Sequence, residues 1–277
     1  MKQSLPFLRS LGAVVLNLII TLAFAAPLRS YMQNPGPDSP WFYWVGACLL
    51  YVVFVLQAVW MTRWVDKRPL SDLRLGFGRP ARLAAWWGSG LTLALLLLYV
   101  GLTQVAGVTG WSWNAGVDSG TAVLMSLVFL MVGPGEEFIF RGYVLRKLEA
   151  YGPAAAAIVS SLLFAAIHAP FGRSSPLELT ALFLHGYFFA VLAQRTNSIW
   201  PGVIIHSVYD VLTGLIWTGS ATYSVLAFDT PLGWTKMAYK SLMVLGYLAM
   251  LWVIDRKSKE KTYESRTGGR QAANAAR

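Results

Sequence analysis

Eight apolar stretches, centred near residues 8–26, 41–60, 83–102, 121–141, 154–169, 177–194, 198–217 and 237–254, occupy most of this 277-residue chain. Each approaches the roughly 20 residues needed to cross a hydrocarbon core about 30 Å thick. Little chain remains for a water-soluble core. Only 13% of residues are charged, whereas a soluble domain carries about 25%. The expected fold is therefore all-α: a polytopic transmembrane bundle of about eight helices. Twelve tryptophans lie near the ends of these stretches, among them Trp41, Trp60, Trp86, Trp87, Trp113, Trp217 and Trp252. Indole rings favour the membrane interface, so they read as boundary markers.

A net charge of +10 could suggest a nucleic-acid partner, but the basic residues fall in alternate connections. Lys2 and Arg9 precede helix 1. Arg63, Lys67, Arg68, Arg74, Arg79 and Arg82 lie between helices 2 and 3, Arg146 and Lys147 follow helix 4, and the tail from Asp255 is basic. The opposite segments, 103–120 and 218–235, contain Asp118 and Asp229 but no Lys or Arg. Arg29, Arg173, Lys236 and Lys240 are exceptions to the pattern. The positive-inside rule then places both termini in the cytoplasm. Compact loops suit a prokaryotic cytoplasmic membrane. Residues 1–254 form one helical domain on this reading, and 255–277 a disordered basic cytoplasmic tail. The first 26 residues imitate a cleavable signal peptide through Ala23-Phe24-Ala25, although a retained membrane helix is the preferred expectation. Cys48, the single cysteine, reads as a small buried hydrophobe.

Ionisable groups inside membrane spans cost roughly 2.5 to 3.5 kcal/mol each on insertion scales, which makes them functional candidates. Here they gather in four helices: Glu136, Glu137 and Arg141 on helix 4, His168 on helix 5, His185 on helix 6, and His206 with Asp210 on helix 7. Glu137 and Arg141 stand four residues apart and can pair on one helix face. Glu136 points about 100° away and is left for other work. His206 and Asp210 repeat the four-residue spacing. Phe164 precedes His168 by one turn and can wall the same pocket. Glu136 and His168 each lie sixteen residues from the Gly152-Pro153 turn, so an antiparallel hairpin brings them to similar depth. At 1.5 Å per residue, Glu136 and Asp210 come to roughly 15 Å below the basic interface and His206 to roughly 9 Å. This geometry makes helix 4 protrude beyond the membrane and leaves helix 5 with an awkward outer end.

The ordered motifs Glu136-Glu137-x-x-x-Arg141, Phe164-x-x-x-His168 and His206-x-x-x-Asp210 resemble those of the CPBP family, also called Abi. This family of CAAX proteases and bacteriocin-processing enzymes includes the Ras-converting CAAX prenyl endopeptidases. The resemblance covers about residues 120–216. It implies an intramembrane endopeptidase acting on a membrane-associated protein or peptide, in which Glu136, assisted by His168, activates water. His206 and residue 210 would stabilise the oxyanion. Glu137, Arg141 and Phe164 would support the site, and no cofactor is implied. The family admits Asn or Asp at the last position; Asp210 can alternatively orient His206. His185 matches no catalytic position and reads as packing or pocket lining, while Gly186-x-x-x-Ala190 suits close helix contact.

Other readings stay open. Glu136, His168 and His206 could bind zinc in a metalloprotease, since two histidines and a carboxylate form a known ligand set. The same groups could relay protons in a transporter, although no inverted repeat is visible. A non-catalytic bacteriocin-immunity protein is a third class.

Overall fold

The computed structural model describes residues 5–33, 36–108, 110–171, 175–217, 222–228, 238–254 and 256. Most of the basic tail, together with Lys2, Arg173, Asp229 and Lys236, lies outside the described residues. Eight helices are present among the described residues, in the expected order. They are α1 (Leu5–Gln33), α2 (Trp41–Trp60), α3 (Arg79–Val105), α4 (Ser119–Tyr151), α5 (Pro153–His168), α6 (Pro176–Thr196), α7 (Trp200–Trp217) and α8 (Ala238–Ile254). The fold is an all-α multi-spanning bundle. Its one departure among the described residues is a small antiparallel pair, β1 (Trp111–Trp113) with β2 (Leu226–Phe228).

Helix lengths divide the eight into two groups. Five helices, α1 to α4 and α6, are long and apolar enough to cross a membrane, whereas α5, α7 and α8 are shorter. The sixteen residues of α5 reach only about 24 Å, and the helix stops at His168 before Ala169-Pro170. Pro170 cannot donate a backbone hydrogen bond and disfavours helix at the preceding residue. The thirty-three residues of α4 extend about 50 Å, and its last turns join the basic end, where Lys147 pairs with Asp66 and Glu149 with Arg74. The awkward end of helix 5 thus has an explanation: α5 begins where α4 ends and stops at His168, beside Glu136 inside the bundle.

Helix α4 is the central element, packed against α2 and α7. Pro134 lies within it and lacks an N–H, so the Leu130 carbonyl one turn earlier has no helical donor. Ser207 Oγ on α7 donates to that carbonyl at 2.9 Å. Glycine at 133 makes the approach feasible, because a Cβ there would lie 2.3 Å from Ser207 Oγ and 2.6 Å from the Val203 carbonyl. Just beyond Glu137, residues Phe138–Val144 widen into a π-helical turn, a feature frequent at functional sites. On the other side of the bundle, Gly186 and buried Ala190 let α6 approach α5, with Phe164 and Ser161 about the glycine.

Polar groups separate the two ends of the bundle. At one end Arg9 and Lys147 both pair with buried Asp66, while Arg74 donates to Glu149 at 2.6 Å and to Asn197 at 3.2 Å. Trp200 Nε1 donates to the Leu75 carbonyl at 2.8 Å. The 61–82 connection therefore packs beneath the helices and joins the N-terminal and 146–147 segments, which the charge pattern assigned to one side with it, to the 197–200 connection. At the other end, the β-pair adjoins the Asp118 N–H, which donates to the Thr222 carbonyl at 2.8 Å. Trp41, Trp86, Trp87, Trp113 and Trp252 are exposed, as boundary residues should be. Trp44 is not: it is buried against Tyr43 and Met125 and belongs to the core.

Candidate active site

Helices α4, α5 and α7 bring Glu136, His168, His206 and Asp210 together inside the bundle. Glu136 is the centre. His168 Nε2 lies 3.7 Å from its Oε1 and His206 Nε2 lies 3.8 Å from its Oε2. Both gaps exceed a direct hydrogen bond. Asp210 Oδ2 stands 3.4 Å from the same His206 nitrogen.

The remaining nitrogen of each imidazole is fixed by a partner that can only accept. His168 Nδ1 lies 2.7 Å from the Phe164 carbonyl, so Nδ1 carries a proton and Nε2 faces Glu136. His206 Nδ1 lies 3.0 Å from Glu137 Oε1. That carboxylate therefore orients His206 while also receiving Arg141 Nη1 at 2.9 Å. Sequence spacing identified the Glu137–Arg141 pair but missed the bond to His206, because helical periodicity cannot register α7 against α4. It also suggested Asp210 as the orienting acid. The structure gives Glu137 the orienting nitrogen and puts Asp210 beside the outward one.

Adjacent glutamates thus occupy unlike surroundings. The Glu137 side chain is wholly buried, and the Glu136 side chain is 15% exposed. Gly202 makes room for Glu137, since a Cβ there would come within 2.8 Å of Oε2. Arg141 is held by three further contacts: its Nη2 donates to the Gly186 carbonyl at 3.2 Å, and its guanidinium lies 4.4 Å from the Phe164 ring centre and 5.5 Å from that of Phe189. Aromatic faces favour a cation in this position. Phe189 also stacks on His206, with centroids 5.3 Å apart and planes 18° apart. Phe164 therefore walls the site, as its position before His168 suggested.

A cavity of about 500 Å³ reaches these residues from between α1, α2, α4 and α5 and continues toward α8. Glu136, His168, His206 and Asp210 line it, as do His185, Tyr209 and Lys240. His185 is a pocket-lining residue, one of the two roles its position suggested. Lys240 was grouped with the charge-rule exceptions. Its place within an apolar helix was the available signal that it faces a cavity.

Among the described residues, no group of three or more His, Cys, Asp or Glu side chains is placed to hold a metal ion. The two imidazoles face different oxygens of the one Glu136 carboxylate.

A polytopic bundle with a buried acid–imidazole centre defines a membrane-embedded protein equipped for proton-transfer chemistry. Residues 118–212, which span α4 through most of α7 and carry every residue of that centre, match the family model described as type II CAAX prenyl endopeptidase Rce1-like. That region is similar to this CAAX-protease family, in agreement with the CPBP/Abi resemblance of its motifs. No curated protein and no solved structure gives a match.

Proposed function

We propose that the chain is a glutamate-dependent intramembrane endopeptidase whose substrate is a membrane-associated protein or peptide. The observation that carries this reading is the placement of two imidazole Nε2 atoms about one Glu136 carboxylate, at 3.7 and 3.8 Å, on the wall of a cavity within the bundle. Water held by Glu136 and His168 attacks the peptide carbonyl carbon as Glu136 takes its proton. The charge that develops on the carbonyl oxygen is stabilised by His206, whose protonated Nε2 is its donor. Collapse of the tetrahedral intermediate breaks the C–N bond. The proton held by Glu136 passes to the leaving amine, giving one carboxylic acid and one amine from peptide and water. Glu137 fixes the His206 ring, and Asp210 supports its charged form.

Glu136→Gln keeps the side-chain volume and removes the base, so cleavage should fall by about 10²- to 10⁴-fold while yield and unfolding temperature hold. Proteins that accumulate uncleaved in cells carrying this variant identify substrates. Near-normal cleavage by Glu136→Gln would remove the residue from the mechanism. Activity lost on chelation and restored by zinc would favour the metalloprotease instead.

The end that carries Arg9, Arg74 and Lys147 is assigned to the cytoplasm under the positive-inside rule. Cysteines introduced at Ser71 and Asp118 should label from opposite sides of the membrane, with Ser71 reached from the cytoplasm. The reverse pattern would invert the orientation.

A further inference from the structure

His185 takes no part in the chemistry above, yet it is the ring that the structure leaves incomplete. Its Nδ1 lies 2.9 Å from the Ala181 carbonyl, which can only accept, so the proton resides on Nδ1. In the neutral ring Nε2 is then an acceptor. That atom is buried and, among the described residues, has no hydrogen-bond partner. The ring's direction is fixed by Tyr209 at 5.3 Å and by the edge-on Tyr247 at 5.7 Å between centroids. Tyr247 is itself held by Thr92 at 2.7 Å. His185 lines the same cavity as Glu136 and His206.

A buried acceptor calls for a donor, and a peptide within a helical membrane bundle supplies one. A substrate must be extended around its scissile bond to expose a carbonyl to attack, and its N–H groups then lose their helical partners. Water cannot replace those partners in the hydrocarbon region, and the surrounding helices spend their own carbonyls on their own ladders. Side-chain acceptors on the cavity wall are therefore what remains. Glu136, His206 and Asp210 are engaged with the reacting atoms. We infer that His185 Nε2 accepts a backbone N–H of the bound peptide near its scissile bond, making His185 a substrate-binding residue on α6.

This inference rests on the protease reading, and its test is built to fail separately. Peptides spanning the cleavage site of a protein that accumulates with Glu136→Gln are made with single ester replacements, each exchanging one backbone N–H for oxygen. Wild type should lose about tenfold in kcat/KM at one ester position, mainly through KM. His185→Phe, which retains ring contacts with Tyr209 and Tyr247, should lose a similar factor on the amide peptide and cease to distinguish amide from ester at that position. His185→Gln, which retains an acceptor, should recover part of the distinction. If no ester costs wild type anything, or if His185→Phe discriminates as wild type does, the inference is wrong while the protease reading stands. If no protein accumulates with Glu136→Gln, both fall together.

Discussion

Acids and bases meet in two parts of this molecule, and their geometry differs. At the basic end of the bundle, Arg74 and Glu149 approach to 2.6 Å, Arg68 and Asp72 to 2.7 Å, and Asp66 is shared by Arg9 and Lys147. Inside the bundle, Glu136 faces two imidazoles across gaps of 3.7 and 3.8 Å and borders a cavity. The outer ions are close-paired and join chain segments. Those about Glu136 are aligned but left apart, with room for a reacting molecule. Between these extremes stands Glu137, on the same turn as Glu136 but bonded directly, at 2.9 and 3.0 Å, to Arg141 and His206. A shared depth in the membrane therefore does not assign a role; the length of the contacts and access to the cavity do.

The largest expected effect comes from breaking the inner clamp. Arg141→Ala strands Glu137 with no exposure to water, a loss of about 3–5 kcal/mol for a buried pair deprived of one partner. Glu137→Gln should act in the same direction and also release His206 Nδ1. Folded yield in detergent and unfolding temperature should both drop. Arg68→Ala, at an exposed helical-spacing pair, should leave both unchanged. Equal effects of Arg141→Ala and Arg68→Ala would erase the distinction between the two regions.

Much of this contrast was legible in the sequence, and its limits have a physical source. Apolar runs located all eight helices, since length and hydropathy are local properties. Four-residue spacing found Glu137–Arg141 and His206–Asp210, since one helix fixes both members of each pair. Depth counted from the Gly152-Pro153 turn and from the basic interface brought the centre together. What spacing could not supply was rotation between helices. The Glu137–His206 bond, Phe189 stacked on His206, and Lys240 facing the cavity all depend on how α4, α6, α7 and α8 turn toward one another. The stop at the end of α5 was written in Ala169-Pro170, and the apolar stretch 154–169 ended there.

Asp210 gives a smaller effect and sharpens the comparison within the centre. It lies 3.4 Å from His206 Nε2, between the saturated and the open arrangement. If it supports a charged imidazolium, Asp210→Asn should slow turnover and Asp210→Ala should slow it further. If residue 210 donates directly to the oxyanion, the amide should preserve turnover and extend it to higher pH, while Asp210→Ala loses about 10²- to 10³-fold. The Glu137 bond at Nδ1 leaves the orienting task filled, so we expect support of the charge on His206. A pH–rate profile of the three proteins on one peptide decides, and unchanged rates in both variants would exclude Asp210 from either role.

The smallest effect lies at the end opposite the basic network, where Asp118 caps α4 by accepting the Thr121 N–H at 2.6 Å. The Thr121 side chain and backbone N–H beside it hold the Asp118 carboxyl below the usual carboxylate range. A lowered folded value means that the fold favours the charged acid. Its contribution is therefore present above the unfolded value of about 3.9 and is lost as pH falls through the lower folded value. Asp118→Asn retains a good capping acceptor but cannot titrate. Other carboxylates respond in the same window, so the difference between the two curves is the informative quantity. Unfolding temperature measured in detergent from about pH 6 to about pH 3 should fall slightly more steeply for wild type than for Asp118→Asn, with the curves separating only below about pH 4. Parallel curves throughout would mean that the charge on Asp118 does not stabilise the start of α4 and that the neutral cap suffices.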